Sequence, residues 1–217
     1  MQPIPKKNLN NRYFLMRHGE SHANKLGIIV SAPEIGVNEF GLTGNGTEQV
    51  IDTAINTRLD GNTIIYCSDF CRTRETAEVF GKVIDVKKII PTEALRERYF
   101  GDWDGSGTEN YARIWQADEA RCSQKKFHVE HVDNVAKRAL ILIDQLESRH
   151  QDETILLVSH GDTLQILMTA FSGACPSRHR KMNAIKTAEI RALTIPQRMS
   201  ASSNNLISNT LLPFSEV

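Results

Sequence analysis

The sequence predicts an α/β fold, a three-layer sandwich in which a mostly parallel central sheet lies between layers of helices. Short apolar runs alternate along the 217 residues with longer segments of helical periodicity, and no internal repeat is visible. This alternation is typical of parallel sheets, because parallel neighbours need a long crossover that is usually a helix. The run at 154–159 (TILLVS) is continuously apolar through its centre, which indicates a strand buried on both faces.

The chain begins with two predicted strands and a helix between them. Residues 13–16 form an apolar strand, and residues 63–67 (TIIYC) form the second. Between them, apolar residues recur at helical spacing over 42–59. Thr43 is the candidate N-cap of this helix, since its hydroxyl can accept a hydrogen bond from the first turn.

A helix, a short strand and an insertion are predicted next. Helical periodicity covers 70–83, and the third strand, 86–90, is expected to stop at Pro91 because proline donates no hydrogen bond to a sheet. The stretch 98–131 contains a helical pattern at 108–126 but no strand. This pattern indicates a helical insertion over one end of the sheet.

The rest of the chain repeats the strand–helix order. A strongly periodic helix at 132–149 precedes the buried strand described above, a helix at 163–171 follows that strand, and 187–195 is the last strand. We therefore expect a single domain over 1–196. The remainder, 197–217, is rich in Ser and Asn and is predicted to be a flexible C-terminal tail.

The composition excludes several classes of protein. The 26 Lys and Arg residues balance 26 Asp and Glu, so the chain lacks the basic excess typical of nucleic-acid-binding proteins. Hydrophobic residues make up 40%, too many for a disordered chain, yet no apolar run approaches the ~18 residues of a membrane span. The N-terminus does not resemble a secretory signal, and the four cysteines form neither a disulfide framework nor a metal pattern. We expect a cytoplasmic protein that binds neither nucleic acid nor membrane.

Charged and imidazole side chains follow four predicted segments at the point where each ends. They are Arg17-His18-Gly19-Glu20, Ser68 through Arg72, Leu95 through Arg98, and His160-Gly161-Asp162. Ligands of parallel sheets bind at the carboxyl ends of the strands, so these side chains are expected at one site. The residue types suit a phosphate. Guanidinium groups donate paired hydrogen bonds to phosphoryl oxygens, imidazole can attack phosphorus, and a carboxyl group can protonate the leaving oxygen.

Five motifs in a fixed order carry a family resemblance. They are Arg17-His18-Gly19-Glu20 with Asn24; Leu42-Thr43 with Gly46 and Gln49; Ser68-Asp69-Phe70 through Arg72 to Thr76-Ala77; Leu95-Arg96-Glu97 with Phe100-Gly101 and Gly105; and Val158-Ser159-His160-Gly161. Together they resemble the signature of the histidine phosphatase superfamily, in its phosphoglycerate mutase-like branch, and they cover about 12–195. The resemblance implies a phosphoglycerate mutase-like version of the α/β sandwich.

The resemblance also implies a role for each site residue. His18 would be the nucleophile that becomes phosphohistidine, and Glu97 the proton donor that later activates water. The residues that would hold the phosphoryl group are Arg17, Asn24, Arg72 and His160. No metal and no cofactor are implied.

The expected function is hydrolysis of a small phosphorylated molecule, a phosphomonoesterase reaction. The chain between Glu97 and His160 is short and lacks the Arg-Arg or Pro-rich segment with which the mutases grip a bisphosphate, which favours water as the acceptor. Two alternatives stay open. One is a phosphoglycerate mutase-like phosphotransferase or isomerase, and the other is a non-catalytic phosphate-binding interaction module.

Several neighbouring residues are expected to have structural roles. Glu20 is predicted to hold its loop, and Arg74 and Arg98 to be solvated neighbours or salt-bridge partners. Tyr111 and Trp115 lie at helical spacing, which is more typical of core residues than of a substrate platform, although they could line the mouth of the site.

Two departures from the family pattern, at Asp162 and at 127–130, accompany one basic run whose role has two interpretations. The basic run 178–181 fits a solvated turn, with attraction of anionic substrates as the second interpretation. Asp162 either caps the following helix or faces the pocket, where its charge would repel phosphate. Residues 127–130 stand where the family often has Gly-Gly-Glu, and the loss of both glycines is expected to stiffen a loop near the pocket.

Overall fold

The computed structural model describes residues 9–122 and 124–194, and its centre is a five-stranded sheet. The strands are β1 (Arg12–Arg17), β2 (Ile64–Ser68), β3 (Ile89–Thr92), β4 (Thr154–Ser159) and β5 (Ile190–Ala192). Their spatial order is β3-β2-β4-β1-β5, in which the first four strands are parallel and β5 is antiparallel to β1. The predicted α/β fold with a mostly parallel sheet is confirmed.

Seven α-helices connect and cover these strands in the described part of the chain. They are α1 (His22–Leu26), α2 (Pro33–Gly36), α3 (Gly44–Ile55), α4 (Cys71–Val83), α5 (Tyr111–Glu119), α6 (Val132–Arg149) and α7 (Gly161–Phe171). A 3₁₀ helix, Pro176–Lys181, follows α7. None of the described helices is both long enough and apolar enough to cross a bilayer.

Two hydrophobic cores lie on opposite faces of the sheet. Along β4, Ile155 and Leu157 are buried in the core that contains α6 and α7, whereas Leu156 and Val158 are buried in the core that contains α3 and α4. Successive side chains of a strand point to opposite faces, so a strand between two helical layers must be apolar at consecutive positions. This is the physical reason for the TILLVS pattern.

The predicted end of the third strand at Pro91 is wrong. Residues Ile89–Thr92 form β3, and Pro91 is inside it, opposite Cys67 of β2. β3 lies at the edge of the sheet, where a residue without an N–H group leaves no neighbour unpaired. Proline therefore marks an edge strand here and does not end it.

Other boundaries differ from the predicted ones by a few residues. The helix expected over 42–59 covers Gly44–Ile55, after an N-cap in which the Thr43 hydroxyl accepts a hydrogen bond from Gly46. The last strand is only Ile190–Ala192, whereas 187–195 was expected. The helix expected from 163 begins at Gly161, directly after β4.

The predicted helix over 108–126 is broken into three pieces. Helix α5 is flanked by 3₁₀ turns at Thr108–Asn110 and Lys125–Phe127. No strand occurs among the described residues of 98–131, and α5 packs against the 3₁₀ helix Pro176–Lys181. The tail predicted at 197–217 lies outside the described residues.

Candidate active site

A cavity of about 240 Å³ opens at the carboxyl ends of the parallel strands. Its lining includes most of the predicted site residues and one of their neighbours: Arg17, His18, Asn24, Arg72, Glu97 and Asp162. His160 is fully buried and does not line this cavity, but its ring packs edge-on against the ring of His18, with centroids 5.2 Å apart. All six predicted site residues are therefore at or next to one cavity.

The His18 ring is held in the tautomer that a nucleophile needs. The strand ends at Arg17, and Nδ1 of His18 lies 2.7 Å from the Gly19 carbonyl oxygen, to which it can only donate. Nε2 accepts a hydrogen bond of 3.3 Å from Nε of Arg72, so this nitrogen carries a lone pair. Burial, followed by the charges of Arg72 and Arg17, holds the pKa of His18 well below its usual value, so the ring is neutral.

Gly19 brings this loop unusually close to a neighbouring helix. A Cβ atom at this position would lie 2.5 Å from the carbonyl oxygen of Gly46 in α3. Glycine is therefore required directly after His18, because any side chain would push the histidine loop away from α3.

Three buried polar atoms around His18 have no hydrogen-bond partner. They are Nε of Arg17, Nη1 of Arg72 and Nδ1 of His160. Buried polar groups are nearly always paired, so such atoms in one place indicate a ligand site. Another nitrogen of each arginine is anchored: Nη1 of Arg17 donates to the Ile185 carbonyl (3.1 Å), and Nη2 of Arg72 donates to the Val30 carbonyl (3.0 Å).

His160 is positioned by the neighbouring strand. Its Nε2 lies 3.0 Å from the Ser68 hydroxyl at the end of β2, and its ring also packs edge-on against Phe70. Burial and the positive charge of Arg72 lower the pKa of His160 well below its usual value. The ring is therefore neutral, like that of His18.

Glu97 uses only one of its carboxylate oxygens within the protein. Oε1 accepts hydrogen bonds from the Arg98 backbone N–H (3.0 Å) and from the backbone N–H and hydroxyl of Thr163 (3.3 and 3.2 Å). Among the described residues, none donates to Oε2. Burial and the negative charge of Asp162 raise the pKa of Glu97, although Arg72 and Arg17 oppose the shift. The carboxyl group is thus suited to hold a proton on Oε2.

Arg138 of α6 fixes the segment that carries Glu97. Its guanidinium donates to the carbonyl oxygens of Ala94 (2.8 Å) and Glu97 (3.3 Å) and to the carboxylate of Glu130 (3.0 Å).

Glu130 is the acid of the 127–130 stretch, which lacks the two glycines common in the family. In this stretch His128 has φ of +56°, a conformation that favours glycine. The 127–130 loop therefore adopts a left-handed backbone conformation at His128 although the residue there is not glycine.

Asn24 is partly committed to the local structure. Its Oδ1 accepts hydrogen bonds from the backbone N–H (3.1 Å) and the hydroxyl (3.0 Å) of Ser21, which closes a capping box at the start of α1. The side-chain amide nitrogen is the group that remains for a ligand. Glu20 has the expected structural role, because its carboxylate accepts a hydrogen bond of 2.6 Å from the Thr43 hydroxyl.

Asp162 lines the cavity, as one of the two expectations has it, but it does not cap α7, whose N-cap is His160. Hydrogen bonds from its neighbours stabilise its charge. Its carboxylate accepts hydrogen bonds from His179 (2.9 Å), Trp115 (2.9 Å) and Arg98 (3.3 Å). Burial alone would raise its pKa, but the His179 and Arg98 contacts lower the pKa to about 2.

Arg98 is a salt-bridge partner, as one of the two expectations has it, but it is not solvated. Its side chain is 1% exposed and forms a two-pronged ion pair with Asp118 of α5, at 2.6 and 2.8 Å. Arg98 therefore ties the cavity wall at Asp162 to helix α5.

Arg74 instead donates a hydrogen bond to the carbonyl oxygen of Asp69 (2.6 Å).

The solvated turn expected at 178–181 is wrong for His179 and incomplete for Arg180. His179 is fully buried, and Arg180 lines the cavity with its guanidinium 3.6 Å from the centroid of the Trp115 ring. Trp115 in turn stacks on Tyr111, with ring centroids 5.1 Å apart and planes within 5°. These aromatic residues form a wall of the cavity, which is the less favoured of the two interpretations.

Gln165 was missed by the sequence analysis altogether. It lies on α7 within the apolar run 163–171, where its spacing gives no sign of a site, yet it lines the cavity.

No group of three or more His, Cys, Asp or Glu side chains among the described residues has the arrangement of a metal site.

Comparison with known proteins finds similar phosphatases and phosphoglycerate mutases. The model of the histidine phosphatase superfamily (branch 1) matches residues 13–202. A metal-independent phosphoserine phosphatase from Arabidopsis thaliana is 29% identical over 164 residues, which cover 70% of this chain but only 65% of that relative. A phosphoglycerate mutase from Schizosaccharomyces pombe is 24% identical over 75% of this chain and 80% of its own.

A solved structure agrees with these sequence matches. Bacillus stearothermophilus YhfR superposes with a TM-score of 0.70 at 26% identity, over 84% of this chain and 90% of that one. The family model covers well over half of the chain, and the sheet order, the strand-end motifs and the neutral histidine beside two arginines all accompany it. The chain belongs to the histidine phosphatase superfamily.

Proposed function

We propose that the protein is a phosphomonoesterase that hydrolyses a small phosphorylated molecule through a phosphohistidine on His18. The observation that carries this proposal is the group of unpartnered buried atoms on Arg17, Arg72 and His160 around the His18 ring. Unpartnered nitrogens on these three side chains, beside a neutral imidazole, suit a bound phosphoryl group, whose oxygens could accept hydrogen bonds from them.

The first step transfers the phosphoryl group to the enzyme. The lone pair on Nε2 of His18 forms the N–P bond while the P–O bond to the alcohol breaks, and Arg17 and Arg72 bind the phosphoryl oxygens. The proton on the Glu97 carboxyl group goes to the departing oxygen, so the product leaves as a neutral alcohol. Glu97 is left as a carboxylate.

The second step returns the enzyme to its starting state. The Glu97 carboxylate removes a proton from a water molecule, whose oxygen forms a bond to phosphorus as the P–N bond breaks. Inorganic phosphate is released, His18 is neutral again and Glu97 has regained its proton. The raised pKa of Glu97 suits both roles, since a catalytic group should titrate near the working pH.

The size of the cavity favours water over a second large substrate as the acceptor. About 240 Å³ is small for a ligand site, and the aromatic side chains of Tyr111 and Trp115 line the side towards α5. A mutase-type reaction is the second candidate, supported by the similarity to the Schizosaccharomyces pombe phosphoglycerate mutase.

The decisive experiment compares the wild-type protein with His18→Ala on an aryl phosphate in the presence of a chelator. Wild type should turn over, and the variant should lose at least about three orders of magnitude in kcat/KM. His22→Ala is the matched control, because His22 is an exposed histidine on α1 whose loss should leave the rate unchanged.

Trapping the intermediate separates the candidate functions. A labelled phosphate ester should give an acid-labile, base-stable phosphoenzyme in wild type and in His22→Ala but not in His18→Ala. Transfer of the label to added phosphoglycerate in preference to water would indicate the mutase reaction. The absence of any phosphoenzyme, with ester binding intact, would overturn catalysis and indicate a binding module.

A further inference from the structure

The cavity contains more positive charge than one phosphoryl group requires. Three arginines line it in the described structure: Arg17, Arg72 and Arg180. The first two lie beside His18, where their charges lower its pKa. Asp162 and Arg180 attract each other through space, but the Asp162 carboxylate is hydrogen-bonded to His179, Trp115 and Arg98 and not to Arg180. Arg180 therefore forms no ion pair with any carboxylate in the described part of the chain.

Arg180 is held in a fixed, flat orientation. Its guanidinium lies on the Trp115 ring, and Nη1 donates to the side-chain carbonyl of Gln165. Trp115 is itself held on both sides, by its hydrogen bond to Asp162 and by the stack on Tyr111. A guanidinium that is stacked and hydrogen-bonded loses little further freedom when a ligand binds.

The free edge of this guanidinium is available to a ligand. No described residue accepts a hydrogen bond from Nε or Nη2 of Arg180, and the residue as a whole is exposed at the mouth. Two neighbouring N–H groups in one plane match the two oxygens of a carboxylate or of a second phosphate. The cavity that Arg180 lines is the one that contains His18 and Glu97, so a group bound there belongs to the same small molecule.

We propose that Arg180, on its Trp115 and Tyr111 support, is a specificity-determining residue that binds a second anionic group on the leaving alcohol. This inference rests on the proposed phosphomonoesterase function and names the class of substrate: a short phosphate ester whose alcohol portion has its own carboxylate or phosphate. The nearby Ile185 and Ala184 offer apolar contact to the carbon chain between the two charges.

The test uses three esters with a common three-carbon chain. Glycerol 3-phosphate has a neutral alcohol portion, 3-phosphoglycerate has a carboxylate, and 1,3-propanediol bisphosphate has a second phosphate. Wild type should prefer at least one anionic ester over glycerol 3-phosphate by about 10- to 100-fold in kcat/KM, the scale of a charge-assisted hydrogen-bonded pair. Which anionic ester is preferred identifies the source of the charge.

The variant Arg180→Gln should remove this preference. Its kcat/KM for the preferred anionic ester should fall by about 10- to 100-fold, mainly through KM, while glycerol 3-phosphate stays within about twofold. Arg180→Lys, which keeps the charge but lacks the flat paired donors, should fall between the two. The matched control is Lys181→Gln, which removes the neighbouring charge from an exposed ion pair with Glu119 and should change neither ester.

Binding to a His18→Ala background separates this inference from the proposed function. Calorimetry in that background should show tighter binding of the anionic ester, and addition of Arg180→Gln should abolish the difference. Equal weakening of all three esters by Arg180→Gln, or no preference in either assay, overturns the subsite. Loss of all turnover in wild type with the binding preference intact overturns the phosphatase proposal and leaves the subsite standing.

Discussion

Glu97 and Glu147 are two nearly buried glutamates at opposite ends of the sheet, and their pKa values shift in opposite directions. Their exposed fractions are similar, 9% and 6%. Burial raises the pKa of Glu97, whereas at Glu147 hydrogen bonds outweigh the effect of burial and lower the pKa. The carboxyl group of Glu97 nevertheless lies deeper in the protein than that of Glu147, so burial and hydrogen bonding both contribute to the difference.

The hydrogen bonds to Glu147 satisfy both of its oxygens. Oε2 accepts from the backbone N–H of Asn10 (2.7 Å), and Oε1 accepts from the Asn11 side chain and the Tyr13 hydroxyl (both 2.8 Å). These contacts fasten the start of β1 to α6, and they all stabilise the charged form. Glu147 is a structural residue that stays ionised.

Glu97 has the opposite arrangement at the carboxyl end of the sheet. All of its described hydrogen-bond donors contact Oε1. The negative charge of the nearby Asp162 carboxylate disfavours a second negative charge on Glu97. An incompletely paired buried acid is costly to keep charged, and such a group is retained where a proton must be moved. The contrast teaches that deep burial combined with incomplete hydrogen bonding distinguishes the proposed proton donor from a structural acid.

The largest expected effect is that of Glu97→Gln on activity. We expect kcat to fall by about 10² to 10⁴ on alkyl phosphates, whose alcohols leave poorly without a proton, and far less on activated aryl phosphates. Unfolding at pH 7 should be no easier than in wild type, since the amide oxygen can keep the donors that contact Oε1. Equal losses on both ester classes would reduce Glu97 to a scaffold residue like Glu147.

The mirror-image prediction is that Glu147→Gln lowers stability and leaves the chemistry intact. The new amide donor would face an existing donor, so we expect a loss of about 2–4 kcal/mol in the free energy of unfolding from urea titration. The kcat of the folded fraction should be unchanged. The control is Glu119→Gln, an exposed acid whose replacement should have no measurable effect.

The pH dependence of this loss has a defined sign. The pKa of Glu147 is lowered on folding, so its contribution is fully present above its ordinary value of 4.5 and is lost as the pH falls through the folded value. The stability difference between wild type and Glu147→Gln should therefore shrink below about pH 4.5. A difference that is constant with pH would show that the carboxylate charge is not the cause.

The sequence alone was sufficient to identify the residues at the strand ends. His18, Arg17 and His160 each directly end or follow an apolar strand, and a strand fixes where its next residue lies, so local motifs predicted their approach. Pro91 was misread because its meaning depends on whether β3 lies at an edge, and that is a property of the assembled sheet.

The wall of the cavity could not be predicted in the same way. It joins Trp115, Asp162 and Arg180 from three separate elements, and their contacts depend on how α5 and the 3₁₀ helix pack against α7. The fate of Asp162 is the clearest case, since either a cap or a repulsive pocket charge fits its position in sequence. Only the tertiary neighbours His179 and Arg98 decide it.

The smallest expected effect, and the one that bears most directly on the comparison, is that of Asp162→Asn on the pH profile. The negative charge of Asp162 raises the pKa of Glu97, so its removal should make Glu97 more like Glu147 and lower that pKa. Glu97 must be protonated for the first step, so the alkaline limb of kcat/KM should move to lower pH. The acid limb belongs to His18, whose lowered pKa has burial as its first cause, and should stay in place.

The shift of the alkaline limb is measured by comparing Asp162→Asn with wild type on the same substrate. The titration of the substrate phosphate then affects both profiles equally and cancels in the comparison. Arg98 keeps its two-pronged pair with Asp118, so the variant should fold, although with reduced stability. A shift of the alkaline limb with the acid limb fixed supports a charge effect on the proton donor. A uniform loss of rate at every pH would instead mean that Asp162 acts by holding Trp115 and His179, and that the raised pKa of Glu97 arises from burial alone.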